Sequence, residues 1–270
     1  MATFKGLPFK EYQELEGINK SSLDLINKAP ALLKWSKECP EDKDGKNAGI
    51  FGNAFHTIVL EPEKFEERYC VALKCDKRTI DGKAEYKAFI DEVKGKKLII
   101  LDQKEIHKLK LMQGSVMAHP EARSLIEASE KEVSFHCERE GYWTKSRHDG
   151  IVKSRHVSFD LKSLDPGNRE FDKAWGTAVA KRRYDVQAAH YEEDYKHEFG
   201  VGLRAFYFIV VSKSLSLGRY ECRVMKLSTE QKDQGREDRE KNIKRYLSCS
   251  ESNKWPGIET TVIPAYTQRS

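Results

Sequence analysis

The chain has 270 residues, of which 39% are hydrophobic and 34% charged, with a formal net charge of +5 at pH 7. This length allows one large domain or two small ones, and the charge content is that of a globular protein with a wet surface. It excludes membrane-spanning helices, because no apolar run reaches membrane length, and a disulfide scaffold, because the six cysteines are scattered without a CxxC pair. The mild basicity permits a nucleic-acid partner without demanding one. The scattered thiols, and the lack of an apolar stretch in MATFKGLPFKEYQEL, lead us to expect reduced cysteines and a cytoplasmic protein.

In chain order, Glu11–Glu16 reads as a short amphipathic turn. INKSSLDLINKAPALLKW then predicts a helix capped by Asn19 or Ser21 and interrupted at Pro30. Cys39–Asn47 is a polar loop. Gly49–Leu60 is apolar enough for a buried helix, with Gly52 and His56 four apart on one face. The small Gly52 would let something approach the backbone one turn from the imidazole. The charged region Lys74–Ala128 predicts helices around Asp81–Val93, Lys104–Ala118 and Glu121–Ala128, and a short strand at Lys97–Leu101. Its alternating charges read as a solvated surface.

Glu132–Ser163 predicts three short strands. In Val157–Lys162 the side chains alternate: Val157, Phe159 and Leu161 point one way, while Ser158, Asp160 and Lys162 point the other, onto a face expected to be exposed. The polar break Lys153–His156 suggests a hairpin turn centred on Ser154–Arg155. That register sets Asp149 opposite Asp160, with Cβ atoms roughly 4.5–5.5 Å apart. Two carboxylates so close repel unless one is protonated or a cation lies between them, and a hard divalent ion suits oxygen ligands.

Asp165-Pro166-Gly167 is a turn. Helices follow around Glu170–Lys181 and Asp185–Phe199, with Tyr184, Gln187, Tyr191 and Tyr195 along one face. Leu203–Val211 predicts an interior strand, Arg219–Leu227 its hairpin partner, Thr229–Leu247 a charged helix, and Trp255–Ser270 an irregular tail. No linker or repeat divides the chain, so we expect one domain over residues 1–270, with a mainly helical part at 1–128 and a core at 129–270.

The ordered set Gly52-x-x-x-His56, Asp149, Asp160-x-Lys162 and Gln187-x-x-x-Tyr191 resembles the PD-(D/E)XK nuclease superfamily, in its RecB-like branch. INKSSLDLI, GNAFHTIVLEPEKF, KSRHDGIV, FDLKS, YDVQAAHY and the tail WP are similar to the RecE-like (exonuclease VIII) nuclease domain, from about Ile18 onward. Two positions depart from the pattern: His148 stands where the superfamily has proline before the first acid, and Ser163 where threonine is common. The resemblance implies an α/β fold with a central mixed sheet flanked by helices. It implies an exonuclease that digests linear double-stranded DNA from 5′ ends and leaves 3′ tails. It further implies a ring-shaped homo-oligomer, a tetramer, and a RecT-like single-strand annealing partner.

The chemistry of phosphodiester hydrolysis gives each residue a role. Asp149 and Asp160 would hold one or two Mg²⁺ ions, with Mn²⁺ as a substitute, and the Leu161 carbonyl would add an oxygen ligand. Lys162 would orient or deprotonate the attacking water. The resemblance makes His56 a further metal ligand, and imidazole suits Mn²⁺ better than Mg²⁺. Gln187 and Tyr191 would hold DNA or shape the cleft, the plain alternative being helix–sheet packing. Arg147, two residues before Asp149, is a candidate phosphate contact, and Glu132 a candidate metal or supporting carboxylate. Lys181-Arg182-Arg183 reads as a helix C-terminal charge cluster rather than a DNA patch. Other readings are an endonuclease of the same superfamily, a Cas4-like enzyme, which the scattered cysteines disfavour, and a non-catalytic DNA-binding module, which would be expected to have lost part of the Asp149, Asp160, Lys162 set.

Overall fold

The computed structural model describes residues 2–39, 46–216 and 218–258. Most of the polar loop expected at Cys39–Asn47, and the tail beyond residue 258, lie outside the described residues.

The chain begins with strand β1 (Ala2–Lys5), followed by helices α1 (Phe9–Glu14), α2 (Lys20–Lys28) and α3 (Ala31–Glu38). Asn19 caps α2 by accepting the Ser22 amide at 2.9 Å. Pro30 ends it, because the residue before a proline avoids helical angles and Ala29 is extended. The apolar helix α4 (Lys46–Leu60) precedes a short helix α5 (Phe65–Arg68), strand β2 (Tyr69–Val71), helix α6 (Ile80–Lys96), strand β3 (Ile99–Leu101), and helices α7 (Gln103–Ala118) and α8 (Pro120–Ala128). Asp102 and Glu105 start α7 with a reciprocal capping box.

Three strands follow: β4 (Glu130–Arg139), β5 (Tyr142–Val152) and β6 (Val157–Leu164). Helices α9 (Phe171–Arg182) and α10 (Tyr184–Phe199) lead to the hairpin β7 (Ala205–Ser216) and β8 (Arg219–Met225), and then to helix α11 (Thr229–Ser252). The main sheet has the order β1-β4-β5-β6-β7-β8. Its pairs are antiparallel except β6–β7, which runs parallel. The parallel pair requires a crossover, which α9 and α10 supply. The expected mixed sheet flanked by helices is therefore present. The N-terminal part contributes β1 on the sheet edge and a small parallel sheet of β2 and β3, of which only β3 was expected.

Each face of the sheet has its own helical layer. Val157, Phe159, Leu161, Ile209 and Val211 pack with Phe55, Ile58, Leu109 and Leu125 from α4, α7 and α8. Phe206, Phe208 and Val210 pack with Trp175 and Val179 of α9 and Ala188 of α10. Val133, Phe135 and Ile151 meet Tyr195 of α10. A fully buried Phe or Leu in such a layer contributes about 1.5–3 kcal/mol by burial alone.

The β5–β6 hairpin pairs Gly150 with Phe159, Ile151 with Ser158 and Val152 with Val157. This is the register expected for a turn at Ser154–Arg155. The turn itself is a 3-10 turn, Lys153–Arg155, closed by His156 in the left-handed region at φ 50°. Gly150 is where the register leaves no room: a Cβ there would lie 2.2 Å from the Phe159 ring. Gly150→Ala should therefore cost about 1–3 kcal/mol through overpacking, seen as a lower urea midpoint with an unchanged m-value.

Candidate active site

Glu132, Asp149 and Asp160 lie in one row across β4, β5 and β6. Lys131 pairs with Gly150 and Val133 with His148, so Glu132 and Asp149 stand opposite each other between them. Asp149 and Asp160 stand one step beyond the Gly150–Phe159 pair. At Glu132 the ladder is interrupted and the residue adopts φ 52°, a conformation that non-glycine residues hold only where the surroundings impose it.

The face carrying Asp160 is not exposed, contrary to the expectation from alternation. Ser158 is fully buried and Asp160 is 3% exposed. The reason is α10, which lies over that face: Gln187 Nε2 donates to Asp160 Oδ1 at 2.5 Å. Lys162 Nζ forms an ion pair with Asp160 Oδ2 at 2.5 Å and lies 4.8 Å from the Tyr184 ring centroid. The expected α10 face is thus real: Tyr184 meets Lys162, Gln187 meets Asp160, Tyr191 lies tilted against His148 with ring centroids 4.6 Å apart, and Tyr195 bonds His156 at 3.0 Å.

Asp149 Oδ2 accepts the Leu161 amide at 2.6 Å and faces His56 Nδ1 at 3.3 Å. His56 comes from α4, and the space beside Gly52 one turn earlier is open. Arg147 is placed differently from the phosphate contact anticipated. Its Nε donates to Glu132 Oε2 at 2.5 Å, and Nη1 donates to the Leu7 carbonyl. The Arg147 guanidinium also sits 5.9 Å from the Phe9 and Tyr12 rings, so it ties Glu132 to the α1 segment. In the Lys181-Arg182-Arg183 run, Arg183 pairs with Asp24 and Asp238, each at 3.2 Å.

The ionisation pattern follows from crowding. Burial pushes Glu132 up, the charge of Asp149 adds to this, and Arg147 opposes it. Asp160 is likewise raised, by burial and the Asp149 charge against the pull of Lys162. Burial also disfavours ionised Asp149, but His56, Lys162 and the Leu161 amide outweigh it and hold the carboxyl below its ordinary range. For Lys162, burial works against the charge, and Asp160, Tyr184 and Asp149 more than restore it, so the group is a firm ammonium. Burial lowers His56, but Asp149 and Asp160 reverse this and carry it up to about 9. His148 differs: burial pushes it down to about 3. It stays neutral, 2.6 Å from Ser158 Oγ, at the position where the superfamily pattern has proline. The Ser158 hydroxyl was missed in the sequence, although it shares the Asp160 side of β6.

Three carboxyl groups in a row are costly without a cation among them. Ligand atoms of His56, Glu132 and Asp149 all lie within 4.8 Å of one another, a spacing that fits the coordination sphere of Mg²⁺ or Mn²⁺. Glu132 therefore joins the candidate metal set more directly than Asp160, which Gln187 and Lys162 hold to the side. The Leu161 amide supports Asp149.

A mixed sheet with an acid on one strand, an Asp-x-Lys on the next, and a Gln and Tyr presented by the following helix defines a nuclease of the PD-(D/E)XK type. The chain belongs to the family described as PDDEXK-like domain of unknown function (DUF3799), whose model matches residues 21–261. A structure from Eubacterium rectale, provisionally named an exonuclease, has the same fold, with a TM-score of 0.62 at 14% identity over 95% of this chain and 89% of that one. A phage-related exonuclease from Haemophilus somnus 129PT aligns at 15% identity with a TM-score of 0.34, over 90% of this chain and 100% of that one. No curated protein matches the chain. Enzymes of this class use divalent metal ions, and the His56, Glu132 and Asp149 cluster is where this chain offers ligands for one.

As a ligand, His56 would make metal binding pH-dependent. In the metal-free protein it carries a proton up to about pH 9, and a ligand must shed its proton to bind a metal. Metal affinity should therefore rise with pH by up to about tenfold per unit below that value, with proton release seen by calorimetry in buffers of different ionisation enthalpy. His56→Ala should flatten the dependence. In the metal-free protein the sign is opposite: the raised pKa stabilises the fold fully below about pH 6.5, and this contribution is lost as pH rises through about 9.

Among the described residues, no helix is long and apolar enough to cross a membrane.

Proposed function

We propose that this nuclease is an exonuclease on linear double-stranded DNA, working from 5′ ends and leaving 3′ single-stranded tails for recombination by strand annealing. The observation that carries the reading is the Glu132, Asp149, Asp160 row, with Lys162 and His56 converging on it. The motifs shared with RecE-like nucleases support the polarity. The same reading takes Mg²⁺ as the ion, with Mn²⁺ as a substitute. It also includes a ring-shaped homo-oligomer, a tetramer, a RecT-like annealing partner, and work in the cytoplasm of a bacterial or phage-infected cell.

When bound, a divalent ion supplies Lewis acidity toward the phosphate and eases deprotonation of water. Glu132, Asp149 and His56 would hold it. Lys162, an ammonium braced by Asp160 and Tyr184, orients the attacking water and balances charge on the five-coordinate phosphorus of the transition state. Its raised pKa favours that role over proton abstraction. Gln187 fixes Asp160 so that the ammonium stays aimed, and the neutral His148–Ser158 pair holds β5 against β6 without adding charge.

The discriminating experiment uses 5′-labelled linear duplex and covalently closed circular duplex, each with and without Mg²⁺. We expect loss of linear DNA only, with metal only, and label released first. Loss of circles at a comparable rate would replace the exonuclease reading with an endonuclease one.

A further inference from the structure

Outside the metal centre, two lysines gather without an acidic partner within ion-pair distance among the described residues. Lys108 of α7 and Lys213 of β7 both approach the Phe51 ring of α4, each with its ammonium 5.6 Å from the centroid. Lys108 is also 5.6 Å from the Tyr220 ring. Burial and the charge of Lys108 both disfavour the Lys213 ammonium, and Asp165 partly offsets them. Like charges brought together repel, and an exposed aromatic face recovers only part of that cost. An anion between the two lysines would relieve that repulsion.

The position of the pair says which anion. Lys162 is registered beside Val210 on the parallel strand β7. Lys213 lies three residues further on, about 10 Å along the sheet at 3.3 Å per residue. Phe51 precedes Gly52, the open position one turn from His56. The two lysines therefore flank α4, the helix that delivers His56 to Asp149, on the α4–α7 side of the sheet. The strand is also shaped there: β7 carries a register shift between Val211 and Leu215. Ser212 pins it, its hydroxyl donating to the Ser214 carbonyl at 2.9 Å and accepting the Ser214 amide at 3.0 Å. Bulges of this kind re-aim side chains beside active sites.

We propose that Lys108 and Lys213 form a subsite for the sugar–phosphate backbone of the nucleic-acid substrate, with Phe51 as the platform that sets the two ammonium groups. The subsite rests on the reading of the chain as a DNA nuclease. It is sequence-independent, because it touches only phosphates.

The test measures binding of a short labelled DNA duplex, with Ca²⁺ in place of Mg²⁺ to suppress cleavage, across a salt series. Wild type should show a log affinity that falls linearly with log salt concentration. Lys108→Gln/Lys213→Gln should bind more weakly for every sequence tried, with a slope shallower by about 2, close to one unit for each phosphate no longer neutralised. Lys108→Arg/Lys213→Arg should restore most of the slope, which a purely structural role would not predict. If wild type binds with a steep slope and the Gln variant, folded by its melting curve, matches it, the subsite is wrong while the nuclease reading stands. If wild type itself shows no salt-dependent DNA binding, the DNA-nuclease reading fails and takes the subsite with it.

Discussion

Asp149→Asn should abolish metal-dependent cleavage, with kcat reduced by at least about 10³-fold, while the protein stays folded. Asp149 is the carboxylate on which the site converges: His56, the Leu161 amide and the opposed Glu132 all meet it. An amide keeps an oxygen for the Leu161 amide but removes the charge that draws a divalent ion, and the ion supplies several kcal/mol of transition-state stabilisation. The same change removes a carboxylate that His56, Lys162 and the Leu161 amide hold ionised against burial. A carboxyl whose pKa is depressed by folding contributes stability above its unfolded pKa, so the metal-free variant should melt below wild type near neutral pH, by a margin that shrinks as pH falls below about 4. Raised Mg²⁺ should not rescue the rate.

Lys162→Met should lower kcat by about 10²–10⁴-fold, the range for a positioned proton-transfer or charge-stabilising group, with little change in DNA binding. Lys162→Arg should not recover it, because a planar guanidinium cannot take the place of a compact ammonium between Asp160 and the Tyr184 ring. The stability of the variant should depend on pH in a defined direction. With the ammonium gone, the already raised Asp160 carboxyl moves further up and binds a proton in the folded state over a wider range. Where the folded state binds more protons than the unfolded one, stability falls as pH rises. The deficit relative to wild type should thus widen as pH rises above about 4, the ordinary aspartate pKa, as read from denaturant midpoints.

The sheet register was legible because alternation and turn chemistry are local. The polar break Lys153–His156 between two β-like runs has one short solution, and it fixes which residue of β5 faces which residue of β6. The long helices around Lys104–Ala118 and Asp185–Phe199 were legible through spacing and caps. What sequence could not show was burial of a polar face. Alternation separates Asp160 from Phe159 by chemistry, and it does not say that a helix will cover both sides of the strand. Gln187 converts that burial into a hydrogen bond. Nor could it show the prominence of Glu132, which depends on a left-handed backbone that interrupts the ladder, or the Arg147–Glu132 pair, which joins strands through the α1 segment. β1 was missed because ATFK is too short to show a period, and it gains its place only by pairing with β4.

The proposition underlying the rest is that the Glu132–Asp149 side of the row binds a divalent ion beside Lys162. Crystals soaked in Mn²⁺ and measured for anomalous scattering test it directly. The result expected is a single strong peak in coordination contact with Asp149 and with at least one of Glu132 and His56. A map with no peak there, at Mn²⁺ concentrations that support cleavage in solution, would contradict it.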